Sequence, residues 1–465
     1  MMDLSKYPVD ITGKNICVLG ARRSGIAAAG LLAHKGAQVL LSDAGQVSFS
    51  DSQLQMFRDL NIRTETGKHS ASVLESDLIV ISPGIPSAVD IVKRIESRNI
   101  PIISEIEAAF WFMPPSAKLI AITGSNGKTT TTSLVYEIFK AGGFNAYCGG
   151  NIGTPFATLI TQADNISEKY PVFILEVSSF QLERIIHFRP DIAIILNVTD
   201  DHMDRYDHDI NLYLAAKLNI SKNQTSEDIF IYFSDDKYLI HHLPEKPQKR
   251  PFGIRKKDNM LFRTDLESIY TQKGKEYVSR KNIRLLGEHN LLNIMAALNV
   301  AEHFKISKNT VLKVLKNFAG IEHRLEFIAT IKGVDYYNDS KATNVESVKY
   351  ALKSFTRPVI IIMGGRDKDS DFSTLLPYLS ENVKEAVLIG EAAQKIENVI
   401  RGKIKYFHAD SLSNAVDYAK TIAVAGDVIL LAPACASFDM FDNYEHRGRV
   451  FKEIVQSIAD KTDEN

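Results

Sequence analysis

Lys128 and the hydroxyls behind it carry the most legible chemistry in this chain. Gly124, Ser125, Asn126, Gly127, Lys128, Thr129 and Thr130 run as G-S-N-G-K-T-T. Spaced G-x-x-G-K-T, these residue types suit a phosphate chain. The glycines let backbone N–H groups turn toward one point, Lys128 brings a point charge to the β- and γ-phosphates, and the Thr129 hydroxyl is placed to ligate Mg²⁺. Ile122 stands where the longer form of the pattern has glycine, so this is the short form. The elements that must position it are also readable. The apolar run Leu119 to Ile122 predicts a strand, and a helical pattern follows through Leu134, Val135 and Ile138. A helix N-terminus at the loop adds unpaired N–H donors and a positive dipole end.

Other polar residues emerge from apolar runs. Val172 to Leu175 predicts a buried strand that delivers Glu176 at or near its end, a carboxylate suited to Mg²⁺ or its water. The run Asp191 to Leu196 opens into Asn197, Thr199, Asp200, Asp201, His202 and Asp204. Two readings fit that cluster, a solvated acidic loop and a metal or phosphate role. Lys217 lies in the apolar helical run Tyr213 to Ile220, where a surface lysine with its stem along apolar neighbours is the default. Cys148 to Pro155, with three glycines and Asn151, reads either as a loop in close approach to a ligand or as a plain turn. Asn290 and Asn293 share a face of a helix read over Leu286 to Val300, where they hydrogen-bond an adenine edge or simply cap and pack.

The chain begins as a βαβ unit: a strand Lys14 to Leu19, the loop G-A-R-R-S-G, a helix from Ile26 and a second strand ending at Asp43. That is a dinucleotide-binding start, except that Arg22 replaces the middle glycine and holds a pyrophosphate farther from the backbone. NAD is therefore disfavoured relative to another nucleotide diphosphate, for which Arg22 or Arg23 supplies guanidinium donors. The strand from Asp77 runs into the rigid turn Ser-Pro-Gly-Ile-Pro, Ser82 to Pro86. Met113 to Ala117 is the first boundary, because two prolines stop helix and ladder alike. From Asn223 to Arg280 the pattern is short and β-like, and the basic run Lys246 to Lys257 reads as a solvated loop. A second boundary falls near Gly320. Beyond it the strands Val334 to Asn338, Val359 to Met363 and Val428 to Ala432 each lead into a polar, small-residue loop. These predict a second doubly wound sheet whose loops, with Lys341, Lys368 and Arg324, form a cationic set for an acidic small substrate. The expected fold is α/β in three domains: 1–115 Rossmann-like, 116–320 a central P-loop domain with a mixed or parallel sheet, and 321–465 Rossmann-like again.

Composition narrows the function classes. The 465 residues suffice for about three domains. A formal net charge of −1 argues against a nucleic-acid-binding chain as a whole. No apolar run reaches the length of a membrane span, and the N-terminus lacks the apolar core of a signal peptide. Cys17, Cys148 and Cys435 are too dispersed for a disulfide framework or a metal knuckle, which fits a reducing cytoplasm.

Taken together, G-S-N-G-K-T-T, L-E-V-S-S-F-Q-L, N-V-T-D-D-H-M-D-R-Y, G-E-H-N, H-R-L-E, N-D-S-K-A-T-N and A-P-A-C-A-S-F-D-M-F occur in an order that resembles the Mur ligases of bacterial cell-wall synthesis. S-P-G-I-P and G-A-R-R-S-G extend the resemblance toward the N-terminus. No D-N-P-R motif, which marks the diaminopimelate- or lysine-adding branch, is present. The resemblance is nearest the branch that joins D-glutamate to UDP-N-acetylmuramoyl-L-alanine. It implies ATP with two Mg²⁺, an acyl-phosphate on the L-alanine carboxylate, attack by the D-glutamate amine, and a cytoplasmic monomer acting without nucleic acid or membrane. It further implies that Lys128, Glu176, His202 and Lys217 are catalytic, with Thr129, Glu176, His202 and a carbamylated Lys217 as metal partners. Asn290, Asn293, Arg324 and Asp339 would join the phosphate loop in holding ATP. Ser24, Asp43, Ser82, Gly84, Asn151 and Ser178 would serve the UDP-linked substrate. Lys341, Thr343, Lys368, Ser437 and Tyr444 would surround D-glutamate, with Tyr444 standing where the family often has Phe.

Three rivals remain distinguishable. A folate polyglutamylating ligase would not begin with G-A-R-R-S-G and S-P-G-I-P. A nucleotide-gated regulatory protein would need no amino acid, against the cationic loops of the last domain. An NAD-dependent dehydrogenase is opposed by Arg22.

Overall fold

The computed structural model describes residues 4–164, 170–199, 203, 205–285, 287–367 and 370–463. Two compact units are present, one of Met1–Asn282 with Leu291–Val314, the other of Ile283–Asn290 with Leu315–Asn465. Among the described residues, no helix is long and apolar enough to cross a membrane.

The first unit holds two sheets. Strands β1 (Asn15–Leu19), β2 (Gln38–Asp43), β3 (Arg63–Thr66), β4 (Leu78–Ile81) and β5 (Ile102–Ser104) form a sheet in the order 3-2-1-4-5. All of its pairings are parallel. The strand order reverses between β1 and β4, and ligands of such sheets sit beyond the strand ends at that point. The second sheet contains β6 (Lys118–Thr123), β7 (Ala146–Gly150), β8 (Val172–Glu176), β9 (Ile192–Ile195), β10 (Ile229–Phe233), β11 (Gln248–Gly253), β12 (Phe262–Thr264), β13 (Ser268–Thr271) and β14 (Glu276–Ser279). Its order is 14-13-12-11-10-9-6-8-7, parallel from β7 through β12 and antiparallel across β12, β13 and β14. Strands β6, β8 and β9 are buried on both faces, which is why they read as unbroken apolar runs rather than as alternation.

The second unit contains β15 (Glu326–Ile331), β16 (Val334–Asn338), β17 (Val359–Gly364), β18 (Val383–Ile389), β19 (Tyr406–His408) and β20 (Val428–Leu431), ordered 15-16-20-17-18-19. Only β15 pairs antiparallel. Ile361 and Met363 face one apolar layer while Ile360 and Ile362 face another, so this sheet too is covered on both sides. Strands β16, β20 and β17 are adjacent, and the three loops singled out in the sequence therefore leave the sheet side by side.

Several local expectations change. Cys148–Gly150 is strand, not loop: a Cβ at Gly149 or Gly150 would overlap the carbonyls of Thr154 or Glu176, so the glycines admit neighbouring backbone. The basic run Lys246 to Lys257 contains β11, paired with β10 and burying Phe252, rather than being a loop throughout. The helix around the two asparagines begins at His289, because Gly287 has φ +88° and lies outside helical space. The phosphate-loop helix begins at Lys128, so the threonine run is helical despite its β-branched side chains.

The helix Glu105–Phe110 couples the two sheets of the first unit. Both of its carboxylates, Glu105 and Glu107, are buried. Glu107 accepts N–H bonds from His187 (2.7 Å) and Phe188 (2.8 Å) and one from the Trp111 indole (2.7 Å). Glu105 Oε1 accepts the Ala157 N–H at 2.7 Å, at the start of the helix Phe156–Asp164, whereas its Oε2 has no partner. Burial raises the Glu105 pKa to about 7 despite the opposing N–H bonds. Since this lies above the unfolded value, folding takes up a proton. The contribution of Glu105 is complete below its unfolded pKa and is lost as pH rises to about 7. Glu105→Gln is expected to remove that slope, so its stability relative to the native chain improves by roughly 2–3 kcal/mol between acid and neutral pH. Denaturant unfolding of both proteins across that range checks this, and parallel pH profiles would contradict it.

Candidate active site

Strand β6 presents the phosphate loop, and its two neighbours deliver the polar partners. Glu176 ends β8 opposite Ile122, two residues before the loop. On the other side β9 leads into Asn197, whose Oδ1 accepts the Asn126 N–H at 2.8 Å and whose Nδ2 donates to the Asn126 carbonyl at 3.0 Å. Ser125 Oγ accepts the Thr199 N–H (2.9 Å) and donates to its carbonyl (3.0 Å). The loop is thus braced as a cradle, with Gly124 at φ +153° and Gly127 at φ +85°. Gly127 is required twice over: its backbone favours glycine, and a Cβ would collide with the Asn293 amide. Asn293 therefore packs against the loop, and both it and Asn290 are buried.

Lys128 Nζ donates to the carbonyls of Gly124 (2.8 Å) and Ser125 (2.9 Å), folded back along the loop. Lys217 overturns the surface expectation. It is 1% exposed, its Nζ donates to the same Gly124 carbonyl at 3.0 Å, and it lies 4.2 Å from the centre of the Tyr213 ring. Two ammonium groups converging on one carbonyl at the mouth of a phosphate loop make a strong anion site. Tyr213, also within reach of Ser125 Oγ, is a site residue that sequence reading missed. Its only signal is its place one turn before Lys217.

Glu176 is 2% exposed. Its Oε1 accepts from Asn151 Nδ2 at 3.1 Å, and its Oε2 is buried without a hydrogen-bond partner. An orphaned carboxylate oxygen next to a phosphate loop fits a divalent cation, as does the hydroxyl of the half-buried Thr129. Asn151 thus supports Glu176 directly, and its N–H also donates to the Glu176 carbonyl at 2.8 Å. Ser178 caps the next short helix, accepting the Gln181 N–H at 3.3 Å. The expected metal partner His202, with Asp200, Asp201 and Asp204, lies outside the described residues, and so does Lys368.

At the switch point of the first sheet a cavity of about 500 Å³ is lined by Gly20, Asp43, His69, Gly84, Ile85 and Arg94 among others. Asp43 holds the loop shut, accepting the N–H groups of Ala21 (2.7 Å) and Gly45 (2.8 Å). A Cβ at Gly25 would overlap the Gly20 carbonyl, so these glycines serve a tight strand-to-helix turn. Ser82 Oγ donates to that carbonyl at 3.3 Å. Ser24 lies in the first turn of the helix Arg23–His34, half-buried, but does not line the cavity.

In the second unit, Asp339 follows β16. Burial raises its pKa to about 7, with Arg324, the Leu325 N–H bond and Lys341 pulling the other way. Lys341 lies 6.0 Å from the centre of the Tyr444 ring, and Ser437 is buried in the loop after β20. Thr343 stands two residues past Lys341, half-buried, with its N–H on the Lys341 carbonyl.

Three open α/β sheets, the middle one bearing a braced phosphate loop with a buried carboxylate beside it, define a P-loop nucleotide-binding protein. The chain belongs to the Mur ligase family. The Mur ligase middle domain matches residues 122–301, the Mur ligase glutamate ligase domain 323–435, and the Mur ligase MurD-like N-terminal domain 14–104. The chain is 40% identical to the UDP-N-acetylmuramoylalanine–D-glutamate ligase of Chloroherpeton thalassium, covering 97% of this chain and 99% of that one. It is 42% identical to the ligase of the same name from Koribacter versatilis, again over 97% and 99%. Among solved structures it resembles UDP-N-acetylmuramate–alanine ligase MurC of Thermotoga maritima, with TM-score 0.59 and 19% identity over 96% of this chain and 99% of that one. It also resembles Thermotoga maritima MurF ligase, solved in complex with ADP, with TM-score 0.58 and 17% identity over 96% of each chain. These two likenesses bear out the α/β fold.

Proposed function

We propose that this protein is an ATP-dependent ligase that joins D-glutamate to UDP-N-acetylmuramoyl-L-alanine in the synthesis of peptidoglycan precursors. The observation that carries this reading is near-full-length similarity to ligases bearing that name. A carboxylate is a poor electrophile for an amine. Transfer of the γ-phosphoryl group to the L-alanine carboxylate gives a mixed anhydride and ADP. Attack by the deprotonated D-glutamate amine forms the amide and expels phosphate. Carboxylate and triphosphate repel each other, so their approach requires cations. Lys128 moves from its loop carbonyls to the phosphates, and the N–H groups at the start of the helix, from Gly127 to Thr130, supply further donors. Mg²⁺, held by Thr129, Glu176, His202 and a carbamylated Lys217, would neutralise phosphate charge when bound. The carbamate forms when the neutral Lys217 amine takes up CO₂ and releases a proton, turning a metal-repelling cation into a two-oxygen anion.

Asn290, Asn293, Arg324 and Asp339 complete the ATP set. Ser24, Asp43, Ser82 and Gly84 serve the uridine diphosphate, and Asn151 and Ser178 the muramoyl-alanine end. Lys341, Thr343, Lys368, Ser437 and Tyr444 hold D-glutamate. The lobes 1–115, 116–320 and 321–465 divide these tasks within a cytoplasmic monomer. Phosphate release should require ATP, Mg²⁺, UDP-N-acetylmuramoyl-L-alanine and D-glutamate together, with L-glutamate and other amino acids inactive. A protein that binds ATP yet never consumes D-glutamate, with magnesium and bicarbonate supplied, would refute the proposal, and turnover on a folate would redirect it.

A further inference from the structure

Arg447 is the largest side chain that the described chain buries completely, at 1% exposure, and none of its hydrogen-bond partners is a carboxylate. It rides on the helix Tyr444–Asp463, one turn beyond Tyr444. Its Nε donates to Ser340 Oγ at 2.9 Å. One terminal nitrogen donates to the carbonyls of Ser340 (2.9 Å) and Cys435 (3.2 Å), and the other to that of Ala436 (3.4 Å). Ser340 Oγ in turn donates to the Tyr444 carbonyl at 2.8 Å. Gly365, in the loop after β17, leaves the necessary room: a Cβ there would press on the Ala436 carbonyl and lie 3.2 Å from the guanidinium. All three loops that leave β16, β17 and β20 therefore meet at this one group. Its contacts fall on the residues next to Lys341 and Ser437 and, through Ser340, on Tyr444 itself.

We infer that Arg447 is a positioning residue for the amino-acid substrate, pinning from beneath the loops that present Lys341, Ser437 and Tyr444. The inference rests on the D-glutamate reading of those loops. Keeping a cation in a dry core is costly, and a hydrophobic side chain of similar size would pack at less expense. What a guanidinium adds is a rigid planar fork that reaches acceptors on separate segments at once, which a lysine ammonium does not reproduce. Burial lowers its pKa only to about 10, so it stays charged at neutral pH.

Steady-state kinetics of the full-length protein test this. Arg447→Gln is expected to raise the D-glutamate KM about 10- to 100-fold, with kcat changed less than about 3-fold and the ATP KM unchanged. Arg447→Lys restores charge without the fork and should recover part of the loss. Ser340→Ala, which cuts the link to Tyr444, should raise the D-glutamate KM roughly 3- to 10-fold. A folded Arg447→Gln protein with native D-glutamate KM, or with ATP and D-glutamate KM rising together, would overturn the inference. If neither Arg447 variant folds, an unchanged D-glutamate KM in Ser340→Ala overturns it. Native protein that cannot use D-glutamate would defeat the proposed function and this inference with it, whereas native turnover with unshifted variants defeats the inference alone.

Discussion

Turnover of the Lys128→Ala protein is expected to fall by roughly 10³-fold, with the unfolding midpoint nearly unchanged. The side chain is half-buried and its Nζ donates to carbonyls of its own loop, so its removal disturbs little of the core. In the proposed reaction it would meet the β/γ-phosphates at the moment their charge redistributes, in a cradle whose other donors are N–H groups. Loss of such a charge lowers kcat more than it weakens ATP binding, because the remaining loop still holds the nucleotide. Single-turnover measurement of ADP formation separates the two effects. A loss below about tenfold would remove Lys128 from the chemistry.

Lys217→Ala should cost at least about 10²-fold in turnover, for a different reason. Lys217 is buried, touches the Gly124 carbonyl and stacks on Tyr213, so alanine leaves a gap under the loop. If the working form is the carbamate, the variant lacks an anion as well as volume, and millimolar formate or acetate should restore part of the activity. Lys217→Arg keeps a cation and cannot take up CO₂, so it should be inactive and insensitive to added carboxylate. Rescue of Lys217→Ala alone supports the carbamate. Failure of rescue in a folded variant that still binds ATP argues for a purely structural ammonium.

The same pair shows how legibility divides. Lys128 is recognisable because its partners are its chain neighbours: strand, glycines, lysine and hydroxyl lie within a dozen residues, and local order alone makes the cradle. Glu176 at the end of β8 was readable likewise, since a charge closing an apolar run must emerge at a strand's edge. Lys217 was not. It meets its acceptor across 93 residues of sequence, and nothing in its own helix says which neighbour covers it. The burial of Glu105 and Glu107 is equally hidden, since their N–H donors, Ala157, His187 and Phe188, come from segments 52 to 81 residues along the chain. Arg447 had a faint signal, because it continues the buried stripe of Phe451 and Val455 at four-residue spacing, but Ser340 lies 107 positions away.

By itself the sequence determined the α/β class, the most apolar strands of each sheet, the phosphate loop and the carboxylate at its side, because each depends on periodicity or spacing within one or two elements. Tertiary structure alone decided which polar groups lose their water: Lys217 beneath the loop, Glu105 and Glu107 between two sheets, Arg447 under three loops. Desolvation depends on every segment that packs around a group, and those segments come together only when strands distant in sequence pair in space.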